Sequence, residues 1–419
     1  MHIIYFHQYF CTPKGSGSTR SYFIAKALVE SGHKVKVVCL NDKRACSGLN
    51  NSFKFGFRKG IVEGIEVVEI NLPYSNNLNL LRRSIAFLNF SLICSAIAVI
   101  SKCDLIYATS TPLTIAIPAI LGKILRGRKF IFEVRDLWPE LPKALGIVTN
   151  SFVLFLLESL ERIAYYYADI CIGLAPGICD GIARKGFKKE NIYLLPNASD
   201  INLFSPLKSN KKKNPKLIPS LRKYIKTNSF IAAFTGAHGI ANGLELLIEV
   251  AQELERRDRK DIILIFIGEG ICKEKLKNKV LRNNLTNCFF IPSIPKEKLA
   301  EILRDCVDVG LMVLKNIPEF YEGTSPNKFF DYISSGLPII NNYPGWISRY
   351  IKKYNIGIAV NPDDYIDFAD ALITLADNRE NLNIKSINSR KLAIEKFSCD
   401  NLSKNVVDLI EKLFQDEFK

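Results

Sequence analysis

The sequence has only 4 histidines, and its 11 cysteines form no C-x-x-C pair. Zinc ribbons and dithiol redox centres are excluded on that count. The cysteine number is odd, and most stand in apolar runs (Cys39, Cys94, Cys171, Cys288). They read as reduced core thiols of a cytosolic protein, not as a disulfide framework. No D-x-D occurs, so that divalent-ion ligand pattern is missing. Gly15-x-Gly17 lacks a third glycine three residues on, and no acid closes the strand that follows. A dinucleotide fingerprint is therefore absent, and no cofactor is expected. The opening MHIIYFHQYF has no basic n-region and reads as a strand, not a secretory leader. Without secretion, the sequon at Asn197–Ser199 carries no meaning.

Charge and apolar runs are plentiful. Lys plus Arg number 57 against 42 Asp plus Glu, a net +15. That balance favours anionic partners: nucleotides, nucleic acid or an anionic membrane surface. At 419 residues, 48% hydrophobic and 24% charged, the chain is globular and too long for one core. Ser84–Ser101 runs 18 residues without a charge behind Arg82 and Arg83, the lower limit of a membrane span. Asn89, Ser91 and Ser95 dilute it, and a strand follows at once, so a buried or membrane-skimming helix is expected. A second apolar run, 151–167, has basic and aromatic neighbours. Together the two could rest on a bilayer; the alternative is a pair of core helices in an α/β domain.

Strand and helix patterns alternate along the chain. The first half reads strand 2–10, Gly/Ser loop 11–20, helix 21–32 and strand 33–40. A polar, basic loop (41–60) follows, then strands at 65–72, 104–110, 129–136, 169–176 and 191–197. The stretch 205–228 is basic and contains proline, as a linker does. No aromatic interleaving accompanies it, so nucleic acid is not an expected partner. The second half repeats the alternation, with strands at 230–237, 261–270, 288–294, 307–314, 337–342 and 357–362. The expectation is α/β: two Rossmann-like doubly wound parallel-sheet domains. They occupy 1–204 and 229–385, joined by the linker, with helices in 386–419 packing back toward the first domain.

Residues 318–346 hold the densest cluster of site-like residues. Glu322 to Lys328 brings an acid, Gly323, two hydroxyls, an amide and a lysine to a helix start. Unpaired N–H groups and the helix dipole attract an anion there. The plainer reading is a cap supplied by Ser325 or Asn327. Polar residues also end strands, where such sheets place ligands: Thr109, Ser110 and Thr111 on one, Glu133, Arg135 and Asp136 on the next. Asp136 reads either as a general base or acceptor ligand, or as an ion-pair partner of Arg135. The loop of Gly15, Ser16 and Gly17, with Arg20 beside it, offers N–H groups to a phosphate. Trp138–Pro139 stiffens a turn and gives an apolar wall. His7 and His238 lie at strand ends; His33 reads as structural.

Taken in order, LVESGHKVKVV, LLPNASDINLF, FTGAHGIANGLELLIEVA, FIGEG and SSGLPII resemble a retaining glycosyltransferase of family 4 with the GT-B fold. RDLWPE and GTSPNKFFDY are similar to a subgroup that transfers N-acetylated deoxy-sugars such as N-acetyl-fucosamine in O-antigen and capsule assembly. The resemblance implies a donor half at the C-terminus and an acceptor half at the N-terminus. It assigns ribose binding to Asp331, phosphate contact to Lys328 and the N–H groups of Thr324 and Ser325, and neighbouring donor contacts to Asn327, Gly236, His238, Gly268 and Glu269. Asn242 stands where the family usually carries an arginine or lysine. The family's acid pair is out of register, which leaves Glu322, or Glu319, as the donor-sugar acid. Implied also are a UDP-sugar donor, a polyprenyl-diphosphate-linked acceptor, metal-independent hexosyl transfer and peripheral attachment to the inner face of the cytoplasmic membrane. In front-face transfer the departing phosphate takes the acceptor proton, so Asp136 orients the acceptor as readily as it catalyses. Competing readings are a UDP-sugar 2-epimerase of the same fold and a non-catalytic sugar-binding scaffold.

Overall fold

Strands rich in Val, Ile and Phe alternate with amphipathic helices to build two parallel sheets in this computed structural model, which describes residues 1–42, 46–72, 80–206 and 229–415. The chain parts into two units. The first holds Met1–Asn197, Glu322–Ser325 and Cys399–Lys419; the second holds Ala198–Tyr321 and Pro326–Ser398. Most of the predicted linker, 207–228, lies outside the described residues.

The first unit opens with β1 (His2–Phe6), α1 (Arg20–Glu30), β2 (Lys34–Leu40), β3 (Phe57–Val62) and β4 (Ile65–Ile70). Then come α2 (Leu80–Ile100), β5 (Leu105–Thr109), α3 (Ala116–Arg126), β6 (Lys129–Val134) and α4 (Glu140–Ala144). It continues through α5 (Ser151–Tyr167), β7 (Ile170–Gly173), α6 (Pro176–Arg184) and β8 (Ile192–Leu194). The sheet order is β3-β4-β2-β1-β5-β6-β7-β8, with β1 at the centre pairing Tyr5 to Val37 and to Tyr107. Every pair is parallel except β3–β4. The run 41–60, read as loop, thus contributes the start of an edge strand. Glu63 (φ 48°) and Gly64 (φ 83°) both turn left-handed, the two-residue hairpin geometry that returns the chain. β1 stops at Phe6, short of the predicted residue 10, because residues 7–10 fold into a turn (Phe10 N–H to His7 O, 3.3 Å).

The second unit comprises β9 (Phe230–Thr235), α7 (Glu245–Arg256), β10 (Ile262–Ile267), α8 (Lys273–Arg282), β11 (Cys288–Ile291) and α9 (Lys296–Cys306). Next are β12 (Val309–Met312), α10 (Pro318–Gly323, its last two residues counted with the first unit), α11 (Asn327–Ser334), β13 (Ile339–Asn341), α12 (Trp346–Lys353) and β14 (Gly357–Ala359). Helices α13 (Tyr365–Asp377), α14 (Arg379–Lys396) and α15 (Cys399–Gln415) end the described chain. The sheet runs β11-β10-β9-β12-β13-β14, all parallel. Strands β9 and β10 are buried at every position, as parallel strands covered on both faces must be. α7 packs Leu247, Val250, Ala251 and Leu254 onto them at helical spacing. α14 packs against α11 and α13 in this unit, whereas α15 packs against α1 in the first.

Candidate active site

In the second unit the turns after β9 and β10 lock together. Gly268 has φ 152°, and a Cβ there would lie 1.9 Å from the Gly236 carbonyl oxygen, so only glycine lets the turns touch. His238 serves this packing through its backbone: its N–H donates to Glu269 O (2.9 Å), and its carbonyl accepts from Cys272 N–H (3.0 Å). Its ring is wholly buried among Phe234, Phe266 and Phe290, and neither ring nitrogen has a hydrogen-bond partner. Burial, with Lys273 near by, pushes the imidazole down to about 4. The ring is therefore neutral and sits in an aromatic pocket, not in the donor contact that the resemblance implies. Glu269 is held by Lys273, whose buried ammonium also donates to Gly268 O (2.8 Å).

Helix α11 is pinned to the sheet by Tyr332. Its hydroxyl donates to Ala233 O (3.0 Å) and accepts from the Thr235 N–H (2.9 Å). One turn earlier on the same face stands Lys328. Its ammonium lies 3.6 Å from the centre of the Phe234 ring and donates to Asn242 Oδ1 at 3.3 Å. Asn242 is aimed by its own amide, which donates to Ala237 O. Among the described residues, no carboxylate reaches Lys328, and burial lowers its ammonium to about 7. A partly buried cation facing a ring and an amide oxygen leaves room for one anion.

The helix start differs from the open glycine turn that the sequence suggests. Glu322 and Gly323 close α10, and only Thr324–Pro326 connects it to α11. Neither Ser325 nor Asn327 is the cap residue of α11: Pro326 holds that position and offers no side-chain cap bond. Ser325 instead accepts from the Asn197 N–H (3.0 Å) through its hydroxyl, and from the Asn197 amide (2.6 Å) through its carbonyl. Glu322 runs against the start of α6, where a Cβ on Gly177 would stand 2.7 Å from its backbone carbon.

Asp331, on the next turn of α11, is buried. It pairs with Lys296 and accepts from Ser199 Oγ (3.1 Å).

In the first unit, two expected ligands are consumed by the core. Arg20 is buried and donates to Glu133 (2.9 Å) and to Pro196 O (2.7 Å). Glu133 also accepts from Tyr107 (2.7 Å) and Thr109 (3.3 Å). Arg20 thus neutralises a buried carboxylate and is not poised for phosphate, and Thr109 is fully buried rather than open to an acceptor. The Gly15–Ser16–Gly17 loop folds back through Gly15 N–H to Thr12 O (3.0 Å). Arg135 turns to His7 Nε2 (3.2 Å), whose Nδ1 meets Ser21 Oγ (2.7 Å). Burial, then the nearby Arg135 and Arg20, hold His7 well below its usual value. Neutral His7 therefore accepts at Nε2 and donates from Nδ1. No ion pair joins Arg135 to Asp136. Asp136 has no hydrogen-bond or ion-pair partner among the described residues, and burial raises its carboxyl despite Arg135.

Residues 16–198 match the family described as a glycosyl transferase 4-like domain, and residues 221–392 match glycosyl transferases group 1. This chain is a glycosyltransferase of the GT-B type. Its fold is similar to that of HepE from Anabaena, solved with UDP and glucose: TM-score 0.69 at 15% identity, over 98% of this chain and 99% of that one. Sucrose-phosphate synthase from Thermosynechococcus elongatus gives 0.71 at 15% identity, over 99% of each chain. WaaG, a glycosyltransferase involved in lipopolysaccharide biosynthesis, gives 0.64 at 14% identity, over 98% and 99%. No curated protein matches the sequence.

Within this glycosyltransferase, Lys328, Asn242 and Gly236 come together, with Phe234 beneath them. Several members of these clusters escape sequence reasoning. Phe234 looks like any core residue of the FTG strand. Lys296 is one lysine among KEKL and gives no sign that it pairs with Asp331, 35 residues on. Asn197 and Ser199 did carry a signal, since both stand in the LLPNASD motif.

Proposed function

We propose that this glycosyltransferase moves a sugar from a UDP-sugar to a polyprenyl-diphosphate-linked saccharide, with retention, during O-antigen or capsule assembly at the inner face of the cytoplasmic membrane. The observation that carries the reading is Lys328, a partly buried ammonium with no carboxylate in reach among the described residues, held between Phe234 and Asn242 beside the glycine turn. A diphosphate supplies the missing charge. As the glycosidic bond breaks, charge grows on the leaving oxygens, and a preorganised cation in a dry site stabilises it most at that moment. Asp331 is suited to the ribose hydroxyls and Glu322 to the donor sugar. The uridine choice is supported by HepE, which was solved with UDP and with UDP-glucose. RDLWPE and GTSPNKFFDY favour an N-acetylated deoxy-hexosamine as donor sugar. In this reading no divalent ion is required, and the departing phosphate accepts the acceptor proton while Asp136 orients the hydroxyl.

The test is UDP release from a panel of UDP-sugars, with and without a polyprenyl-diphosphate-linked saccharide, in buffer with and without EDTA. Release that needs the lipid-linked acceptor, survives EDTA and is fastest with N-acetylated deoxy-sugars supports the reading. No release with any pair overturns it.

A further inference from the structure

Two helices of the first unit expose large apolar side chains, an inversion of the usual pattern on those stripes. On α2, Leu81 (71% exposed), Ile85, Leu88 and Leu92 (67%) recur at helical spacing as one outward stripe. The inner face buries Ala86, Phe90, Cys94 and Ala98 together with the polar Ser91 and Ser95. Ser91 Oγ donates to Thr114 O (2.7 Å), and Ser95 Oγ to Ser91 O (2.8 Å). On α5 the inversion is sharper. Phe152 (67% exposed), Phe155, Leu156 and Ile163 face outward, while Glu161 is buried against Lys185 (3.2 Å) and Tyr165 (3.0 Å). Water alone selects the opposite arrangement.

The two stripes belong to one face. Right-handed crossovers from β4 to β5, β5 to β6 and β6 to β7 advance in one direction along the sheet, so α2, α3 and α5 cover the same side. α3 packs against both its neighbours and ends in exposed Ile124 and Leu125.

Charge decides what covers this face. Neither α2 nor α3 contains an acid. Arg82 and Arg83 begin α2, Lys102 follows it, Arg126 closes α3, and Arg162 lies on α5. Glu158 is the one acid of α5 besides the buried Glu161. A second copy docking through this face would bring these cations together; an anionic headgroup layer pairs with them. Length and composition would let Leu81–Ile100 cross a membrane (mean hydropathy 1.8). Crossing is ruled out by the strands at its two ends, since β4 and β5 lie in the same sheet.

We propose that α2, α5 and the C-terminal end of α3 form a docking face that lies in the headgroup region of an anionic bilayer, in the plane and without spanning. The inference deepens the reading of a lipid-linked acceptor, yet its test uses neither donor nor acceptor. The full chain is sedimented with phosphatidylcholine vesicles, alone or with about 30 mol% phosphatidylglycerol. Recovery with the anionic vesicles is expected, reduced but not abolished by salt. The variant Phe152→Ser/Phe155→Ser/Leu156→Ser should keep its melting temperature and UDP affinity and lose at least about tenfold in partitioning. Failure of the full chain to sediment, or unchanged partitioning of the variant, overturns the proposal. So does a dimer in solution that the variant abolishes without any vesicle binding, which assigns the face to a second copy. Such failures leave the transferase reading untouched, because UDP binding is measured separately.

Discussion

Lys296 and Asp331 form an ion pair inside the second unit, with side chains 9% and 7% exposed. Ser199 completes the shell around the carboxylate. Asp331 is thus held in one orientation by the protein itself. Removing one partner strands the other charge, so Lys296→Met should destabilise by about 3–5 kcal/mol. The double variant Lys296→Met/Asp331→Asn should cost less than the two singles together, because it leaves no orphan charge. Urea unfolding of the four proteins measures the coupling; strict additivity would show that the pair contributes nothing.

Lys328 sets a pH dependence. Burial holds its free ammonium at about 7, and a bound diphosphate raises it. UDP binding should therefore take up protons near neutrality. Affinity should be greatest below about pH 7 and fall by up to ~tenfold per unit above it, until the pKa of the complex is passed. Calorimetry in buffers of different ionisation enthalpy reads the uptake directly. An affinity that stays flat from about pH 6 to about pH 9 would contradict the assignment.

The same residue links stability to pH. The unfolded lysine keeps its proton to higher pH than the folded one, so the unfolded chain binds more protons between the two pKa values. Stability should rise with pH across that window. Lys328→Met removes the partly buried charge: at neutral pH its melting temperature should hold or rise, while transfer falls by roughly 10²–10³-fold. A variant that unfolds at neutral pH, or transfers at the native rate, would falsify this role.

Arg20 and Glu133 are expected to act on folding, not on substrate. Arg20→Met leaves Glu133 buried with only the Tyr107 and Thr109 hydroxyls, and should cost about 3–5 kcal/mol. UDP affinity of the folded fraction should not change. A selective loss of affinity at native stability would return Arg20 to the ligand.

For Asp136, a carboxyl raised by burial and without a hydrogen-bond or ion-pair partner among the described residues, Asp136→Asn should leave the melting temperature within about 2 °C of native. If the residue only orients the acceptor, the KM for acceptor rises and kcat falls modestly; if it is a base, kcat falls by about 10²-fold or more. Steady-state kinetics against acceptor concentration separate the two.

Most of the architecture was readable because parallel strands announce themselves as apolar runs, as β9 and β10 do in FIAAFT and IILIFI. β3 was not, since FRKGIV is a half-exposed edge whose signal lay in the Glu63–Gly64 turn. Lys328 stood out by its charge in the first turn of a helix, whereas Asp331 was named only through the resemblance, by its place before SSGLPII. Arg20 misled because an arginine between a glycine loop and a helix start looks alike whether it awaits phosphate or satisfies a carboxylate 113 residues away. Pairings over such separations are properties of the fold, and no local pattern encodes them.

The buried glutamate of α5 has a consequence for handling the protein. Anyone seeking a better-behaved preparation would replace Phe152 and Phe155 with hydrophilic residues, and the fold would tolerate it, because the helix is anchored from its other side by Glu161, Ala164 and Tyr165. Such a solubilised variant would pass every assay run in plain buffer. If the face docks on an anionic bilayer as proposed, the variant's shortfall would emerge only when vesicles are added.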